Sequence, residues 1–259
     1  MFKKILLYIS FAFILPLSAQ TNFEQKWKVV DSLENDKDYV KSLVPYVREI
    51  YTEAKAQKDA PNKIKALLYL SRIKWLTSDF NLKNPIDKQF DIVQIFQDEI
   101  KQSSGVEKSV LQYYLARIYR TYAGIRAYAN EDATPTQTKP KAYQLWTSKI
   151  SNEKINQLHT QSLENEKSLK NESISAWTPI INNKEYANFR PTLYDIIAAD
   201  YIAEVENYAS GKRDSITNIT NQYRQNLVDF HKNDSNKIAY LYAKRNLINY
   251  VSVQDYTEK

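Results

Sequence analysis

An all-α fold, built as stacked helical hairpins with about ten helices after a cleaved signal peptide, is what this sequence predicts. Three observations lead there. The 259 residues contain three glycines, Gly105, Gly124 and Gly211, whereas strand-rich folds spend many on tight turns. Apolar residues recur at three- and four-residue steps over most of the length, the period of an amphipathic helix. Cysteine is absent, which removes disulfides, thiolate catalysis and sulfur-ligated metals and leaves packing to hold the chain together.

The N-terminus reads as a secretory signal over residues 1–20. Lys3 and Lys4 precede an apolar core from Ile5 to Leu17 (13 residues), Pro16 interrupts it, and Ser18-Ala19-Gln20 offers small residues for cleavage. The alternative, a membrane anchor, needs roughly 20 apolar residues. No other run is apolar enough to span a bilayer, so no integral membrane segment is expected after cleavage. With no cysteine following the core, the expected product is periplasmic or extracellular and not a lipoprotein.

The first stripe is Phe23, Trp27, Val30 and Leu33 or Glu34; the second is Leu43, Val47, Ile50, Tyr51 and Ala54. The third is Ile64, Leu67, Leu68, Ser71 and Trp75. Between the last two, Lys58-Asp59-Ala60-Pro61 supplies a cap and a first-turn proline, so they form a hairpin. Helices are predicted over 86–102 (Phe90, Val93, Ile95, Phe96, Ile100) and 106–128 (Val110, Tyr114, Leu115, Ile118, Tyr122), divided at Gly105. Residues 21–129 thus form an N-terminal set of hairpins. A polar loop carrying Pro135 and Pro140 occupies 130–143. The C-terminal segment, 144–259, is expected to pack on the first set, with helices near 151–170, 173–181, 192–210, 214–231 and 235–250. Leu43-x-x-Tyr46-Val47-x-x-Ile50-Tyr51 is echoed by Leu111-x-x-Tyr114-Leu115-x-x-Ile118-Tyr119, 68 residues on, twice the tetratricopeptide period. No middle copy stands between them. The expected array is therefore tetratricopeptide-like but irregular.

Chemistry is sparse. The formal net charge is +6, drops by two without Lys3 and Lys4, and is spread among interspersed acids and lysines, so no nucleic-acid partner is expected. His159 and His231 lie in no metal-ligand spacing and read as surface or interhelical residues. No glycine-rich phosphate loop or nucleophile elbow is present. The carboxylate pairs Asp98/Glu99 and Glu164/Glu166 sit beside lysines and read as solvated faces. No catalytic residue, cofactor or metal is expected. The 20 tyrosines, among them Tyr113, Tyr114, Tyr119, Tyr122, Tyr201 and Tyr208, admit two readings: interhelical packing, or an aromatic face that binds a peptide or glycan.

One segment stands apart, Asn188-Phe189-Arg190-Pro191-Thr192-Leu193-Tyr194-Asp195. Thr192 can cap a helix, with Asp195 completing a Thr-x-x-Asp box at the positive end of the helix dipole. Pro191 keeps the preceding loop from running on as helix, and Arg190 can hold a neighbouring carboxylate. Leu193, Ile196, Ile197, Tyr201, Val205 and Tyr208 then make the apolar stripe.

Together with Phe23-Glu24-Gln25-Lys26-Trp27-Lys28-Val29-Val30-Asp31-Ser32-Leu33-Glu34, Val47-x-x-Ile50-Tyr51-x-x-Ala54-Lys55, Ile64-Lys65-Ala66-Leu67-Leu68-Tyr69 and Ser162-Leu163-Glu164-Asn165, the motif Phe189–Asp195 resembles, in order, the N-terminal helical region of the large alpha-2-macroglobulin-like proteins of Bacteroidetes-type bacteria. The resemblance implies an exported, non-catalytic helical module. In that family a bait segment is cut and macroglobulin β-sandwich domains collapse around the protease, often with a Cys-x-Glu-Gln thioester. This chain has no cysteine, so none of those functional residues carries over. Arg190, Pro191, Thr192, Tyr194 and Asp195 remain the family-motif and helix-capping candidates. The implied partner is a protein or macroglobulin-type domains, and the chain a split or truncated product or a stand-alone paralogue. The residues alone also allow an independent envelope protein whose hairpins hold a peptide or protein.

Overall fold

The computed structural model describes residues 23–34, 39–77, 92–129, 143, 146–181, 187–208 and 213–257. They form ten α-helices: α1 (23–34), α2 (Tyr39–Gln57), α3 (Ala60–Thr77), α4 (Ile92–Gln102), α5 (Gly105–Ala129), α6 (Ser148–Leu163), α7 (Glu166–Asn171), α8 (Leu193–Tyr208), α9 (Arg213–His231) and α10 (Ile238–Thr257). Among the described residues there is no strand; the one β-type pairing is an isolated bridge between Ser173 and Thr192. Residues 1–20, where the signal peptide is expected, residues 130–142 of the proline loop, and Phe90 lie outside the described residues. The chain divides into two compact units, Met1–Ile92 and Val93–Lys259.

The first unit is organised by the α2–α3 turn. Lys58 takes the left-handed conformation (φ 58°), and the Asp59 amide closes onto the Ala54 carbonyl at 2.9 Å, which ends α2 as an αL cap does. Asp59 then starts α3: its carboxylate accepts from the Asn62 backbone N–H at 3.0 Å and from the Asn62 side-chain amide at 2.9 Å. Pro61 sits in the first turn, where its missing N–H costs nothing. The fold buries Phe23, Trp27 and Val30 against Leu43, Val47, Ile50 and Ala54, with Ile64 and Leu67 completing the core. Asn62 is itself buried and receives the Trp27 indole N–H at 2.8 Å. Lys65 lies over the Trp27 ring at 3.9 Å, and burial holds its ammonium below the ordinary lysine range despite Asp31 and Glu34 nearby.

The second unit is a succession in which α5 packs on α6, α6 on α8, α8 on α9 and α9 on α10, with α7 also against α8. Gly105 opens α5 at φ +57°, a backbone setting that glycine adopts without strain. The helix expected over 151–170 is two helices. α6 stops where the Ser162 hydroxyl donates to the His159 carbonyl at 2.6 Å, and Asn165 restarts the chain by accepting the Ser168 and Leu169 amides at 3.0 and 3.1 Å. The break lets Leu163 and Leu169 both be buried. The short helix expected near 173–181 is a single 3-10 turn, Ile174–Trp177, capped by Ser173. Glu99 departs from its expected solvated face and is buried, while Asp98 pairs with Lys101 at the surface. Of the tyrosines, Tyr113, Tyr119, Tyr194 and Tyr201 are buried, whereas Tyr208 is 48% exposed.

Asn62→Ala is expected to lower stability by about 2 kcal/mol, because it orphans a buried indole N–H and one Asp59 oxygen together. Urea unfolding followed by tryptophan fluorescence checks this, and a loss under about 0.5 kcal/mol would refute it. Lys58→Gly should act oppositely, adding about 0.5–1 kcal/mol by relieving the left-handed residue.

Candidate functional site

Among the described residues, the Asn188–Asp195 segment is one of two places where the second unit gathers interacting polar side chains. Two backbone bonds tie it to the end of α7: the Ile174 amide donates to the Pro191 carbonyl, and the Leu193 amide to the Glu172 carbonyl, each at 3.0 Å. Thr192 stands at the N-cap of α8. The Asp195 amide donates to Thr192 Oγ1 at 3.4 Å, and Asp195 Oδ2 accepts from the Thr192 backbone N–H at 2.9 Å and its hydroxyl at 2.7 Å. Tyr194 is buried, with Lys170 over its ring at 4.6 Å and Phe230 edge-on.

The other Asp195 oxygen reaches across to α9. Oδ1 lies 2.7 Å from His231 Nε2, and His231 Nδ1 lies 2.7 Å from Asp234 Oδ2. His231 is 1% exposed, and burial alone favours the neutral ring. The hydrogen bonds and charges of Asp195 and Asp234 outweigh that and raise its pKa above the usual histidine value of 6.5. Charge also satisfies geometry, since only an imidazolium can donate from both nitrogens. His231 is thus an interhelical clasp.

Arg190 holds no carboxylate among the described residues. Its Nη2 donates to Tyr242 Oη at 3.1 Å, and the guanidinium lies 5.6 Å from the Tyr242 ring centre. The Phe189 ring stands 5.4 Å from the same ring. These residues, with Asp195, line a cleft of about 470 Å³ whose other walls come from α8, α9 and α10.

A second cleft, about 280 Å³, lies among α5, α6 and α8. Here Arg120 grips Glu204 with Nε and Nη2 and reaches Asn152 through Nη1 at 2.8 Å. Arg117 donates to Asp200 at 3.2 Å and to Tyr113 Oη at 2.6 Å, and the Tyr113 hydroxyl donates to Asp200. Burial, then the Asp200 charge, pushes the Tyr113 pKa far up, so the phenol stays neutral. His159 lines this cleft, and its Nδ1 has no hydrogen-bond partner among the described residues. Burial pushes its pKa down to about 4, so it is neutral near pH 7. The sequence reading missed this ladder, although it left a signal: Asp200 and Glu204 are four apart in an otherwise apolar stretch, opposite Arg117 and Arg120, three apart.

Among the described residues no group of three or more His, Asp or Glu side chains is placed to hold a metal ion, and no helix is long and apolar enough to cross a membrane. Among the described residues the protein is all-α, the arginines and carboxylates of the second cleft are paired across helices, and in the first cleft Arg190 lies against a phenol. Comparison with protein-family models, with curated proteins and with solved structures gives no match in any of the three.

The two histidines are displaced in opposite directions, which predicts a stability maximum near pH 6.5. His231, raised, contributes stability that is complete below its unfolded pKa and is lost as pH rises through the folded one. His159, lowered to about 4, contributes stability complete above about pH 6.5 and lost on acidification toward its folded pKa, on the order of 2–3 kcal/mol. Urea unfolding across pH 4–9 should show His231→Gln flattening the alkaline limb and His159→Phe the acid limb. A limb unchanged by its variant contradicts the assignment.

Proposed function

We propose that this chain is a non-catalytic helical scaffold that acts by holding a protein or peptide partner, as the counterpart of the N-terminal module of an alpha-2-macroglobulin-like protease inhibitor. The observation that carries the scaffold reading is the commitment of three α8 carboxylates, Asp195, Asp200 and Glu204, and of His231 to structure. Both oxygens of Asp195 and both nitrogens of His231 are occupied by internal partners, and Asp200 and Glu204 are answered by arginines. A general acid or base needs a proton site that faces substrate, and these face each other.

The family reading is supported by the order of its motifs along the sequence, and two of them have clear physical work. Ser162–Asn165 makes the α6–α7 break, and Phe189–Asp195 sets the start of α8. Residues that redirect the chain are costly to exchange, because each supplies a specific cap or bond. A second reading, a stand-alone envelope protein that binds peptide or protein, is favoured by the open Arg190 cleft.

Formaldehyde cross-linking in the native cell envelope, followed by purification of the full chain, distinguishes the two. The first reading expects a covalent adduct with a macroglobulin-domain protein, the second an adduct with a different and reproducible partner. A chain that cross-links to no protein overturns both.

A further inference from the structure

We propose that the cleft between α8, α9, α10 and the turn before Thr192 binds a carboxylate carried on a small apolar or aromatic body, either a free acid or the C-terminus of a peptide. This goes beyond the scaffold reading and does not depend on it. The cleft volume, about 470 Å³, falls within the roughly 300–1,000 Å³ of small-molecule sites. Its space comes from small residues, since Ala199, Ala203, Ala239 and Ala243 face it from α8 and α10.

The charges in the lining decide what enters. Glu206 is bound by Arg224 at 2.6 Å, and Asp195 by Thr192 and His231. Among the described lining residues Arg190 is the remaining charge, and its contacts there are the hydroxyl and ring of Tyr242. A guanidinium carries five N–H donors in a planar fork, so one bond to a phenol leaves donors for an incoming acceptor. Tyr242 also holds the fork in place before a ligand arrives, which lowers the entropic cost of binding. A fork of this shape matches a carboxylate bidentately. One unanswered cation, with Glu206 and Asp195 close by, favours a singly charged anion over a phosphate dianion. Phe189 and Tyr242 make an aromatic wall beside the cation, and Asn246, one helical turn beyond Tyr242, adds a side-chain amide to the lining.

Calorimetric titration of the full chain tests this with matched probes: 3-phenylpropionate against 3-phenylpropanamide, and acetyl-Ala-Ala-Phe with a free against an amidated C-terminus. At least one carboxylate should bind saturably, about tenfold or more tighter than its amide. The tighter of the two carboxylates identifies a free acid or a peptide terminus as the source. Arg190→Gln should weaken binding about tenfold or more, and Arg190→Lys less, because lysine keeps the charge and loses the fork. Ala199→Leu fills the cleft from the α8 wall without touching Arg190 and should abolish binding. Amides binding as well as acids, no saturable binding of either acid, or affinity unchanged in folded Arg190→Gln or Ala199→Leu protein would each overturn the proposal.

Discussion

The second unit depends on how Asp195 is held. A carboxylate out of water costs several kcal/mol unless its lone pairs find donors. Asp195 meets that condition with the backbone and hydroxyl of Thr192 on one oxygen and the His231 ring on the other. It also sits in the first turn of α8, where the helix dipole favours negative charge. The result couples the beginning of one helix to the end of another. Because α6, α7 and α9 all pack on α8, the point at which α8 starts sets the register of its neighbours.

A different kind of polar contact joins α8 to α5. Arg120 and Glu204 are largely shielded from solvent and share two hydrogen bonds, while Arg117 and Asp200 stand more open. The first pair is the stronger constraint, since exposed ion pairs contribute about 0–1 kcal/mol and removing one member of a buried pair strands the other. The tyrosines work alongside. Tyr113 brings a buried ring and a hydroxyl that bridges Arg117 and Asp200, so a residue that packs as a hydrophobe also completes the charge network. With no cysteine in the sequence, packing and hydrogen bonding hold these helices together without disulfides.

Much of this was legible in the sequence because it is local. Helical periodicity places the buried faces of α1, α2 and α3 at Phe23, Trp27, Val30, Leu43, Val47, Ile50, Ile64 and Leu67, and the Thr192–Asp195 spacing announces a helix start. The break at Glu164–Asn165 was harder to see. The residues there have acceptable helix propensity, and at the break the Glu164 amide turns back to the Gln161 carbonyl while Leu163 and Leu169 are buried on either side. Least legible were the partners of His231 and Arg190. Asp195 lies 36 residues from His231 and Tyr242 lies 52 from Arg190, and no pattern within one helix specifies a contact between helices. For Arg190 the sequence suggests a carboxylate where the structure places a phenol.

The α9–α10 hairpin has a further consequence. Among its described apolar residues Val228, Ala239 and Ala243 are buried, whereas Ile219, Ile238, Ile248 and Leu241, the last 60% exposed, face outward. With fewer of its described apolar side chains buried than α8 has, this hairpin has less to hold it closed against local opening. Its amides should exchange with solvent through sub-global openings while α5, α6 and α8 remain closed. Since α10 forms one wall of the Arg190 cleft, any molecule seated there must be released before the hairpin can open. A molecule held in the cleft would therefore make such openings rarer, and protection of the hairpin amides would report on its presence.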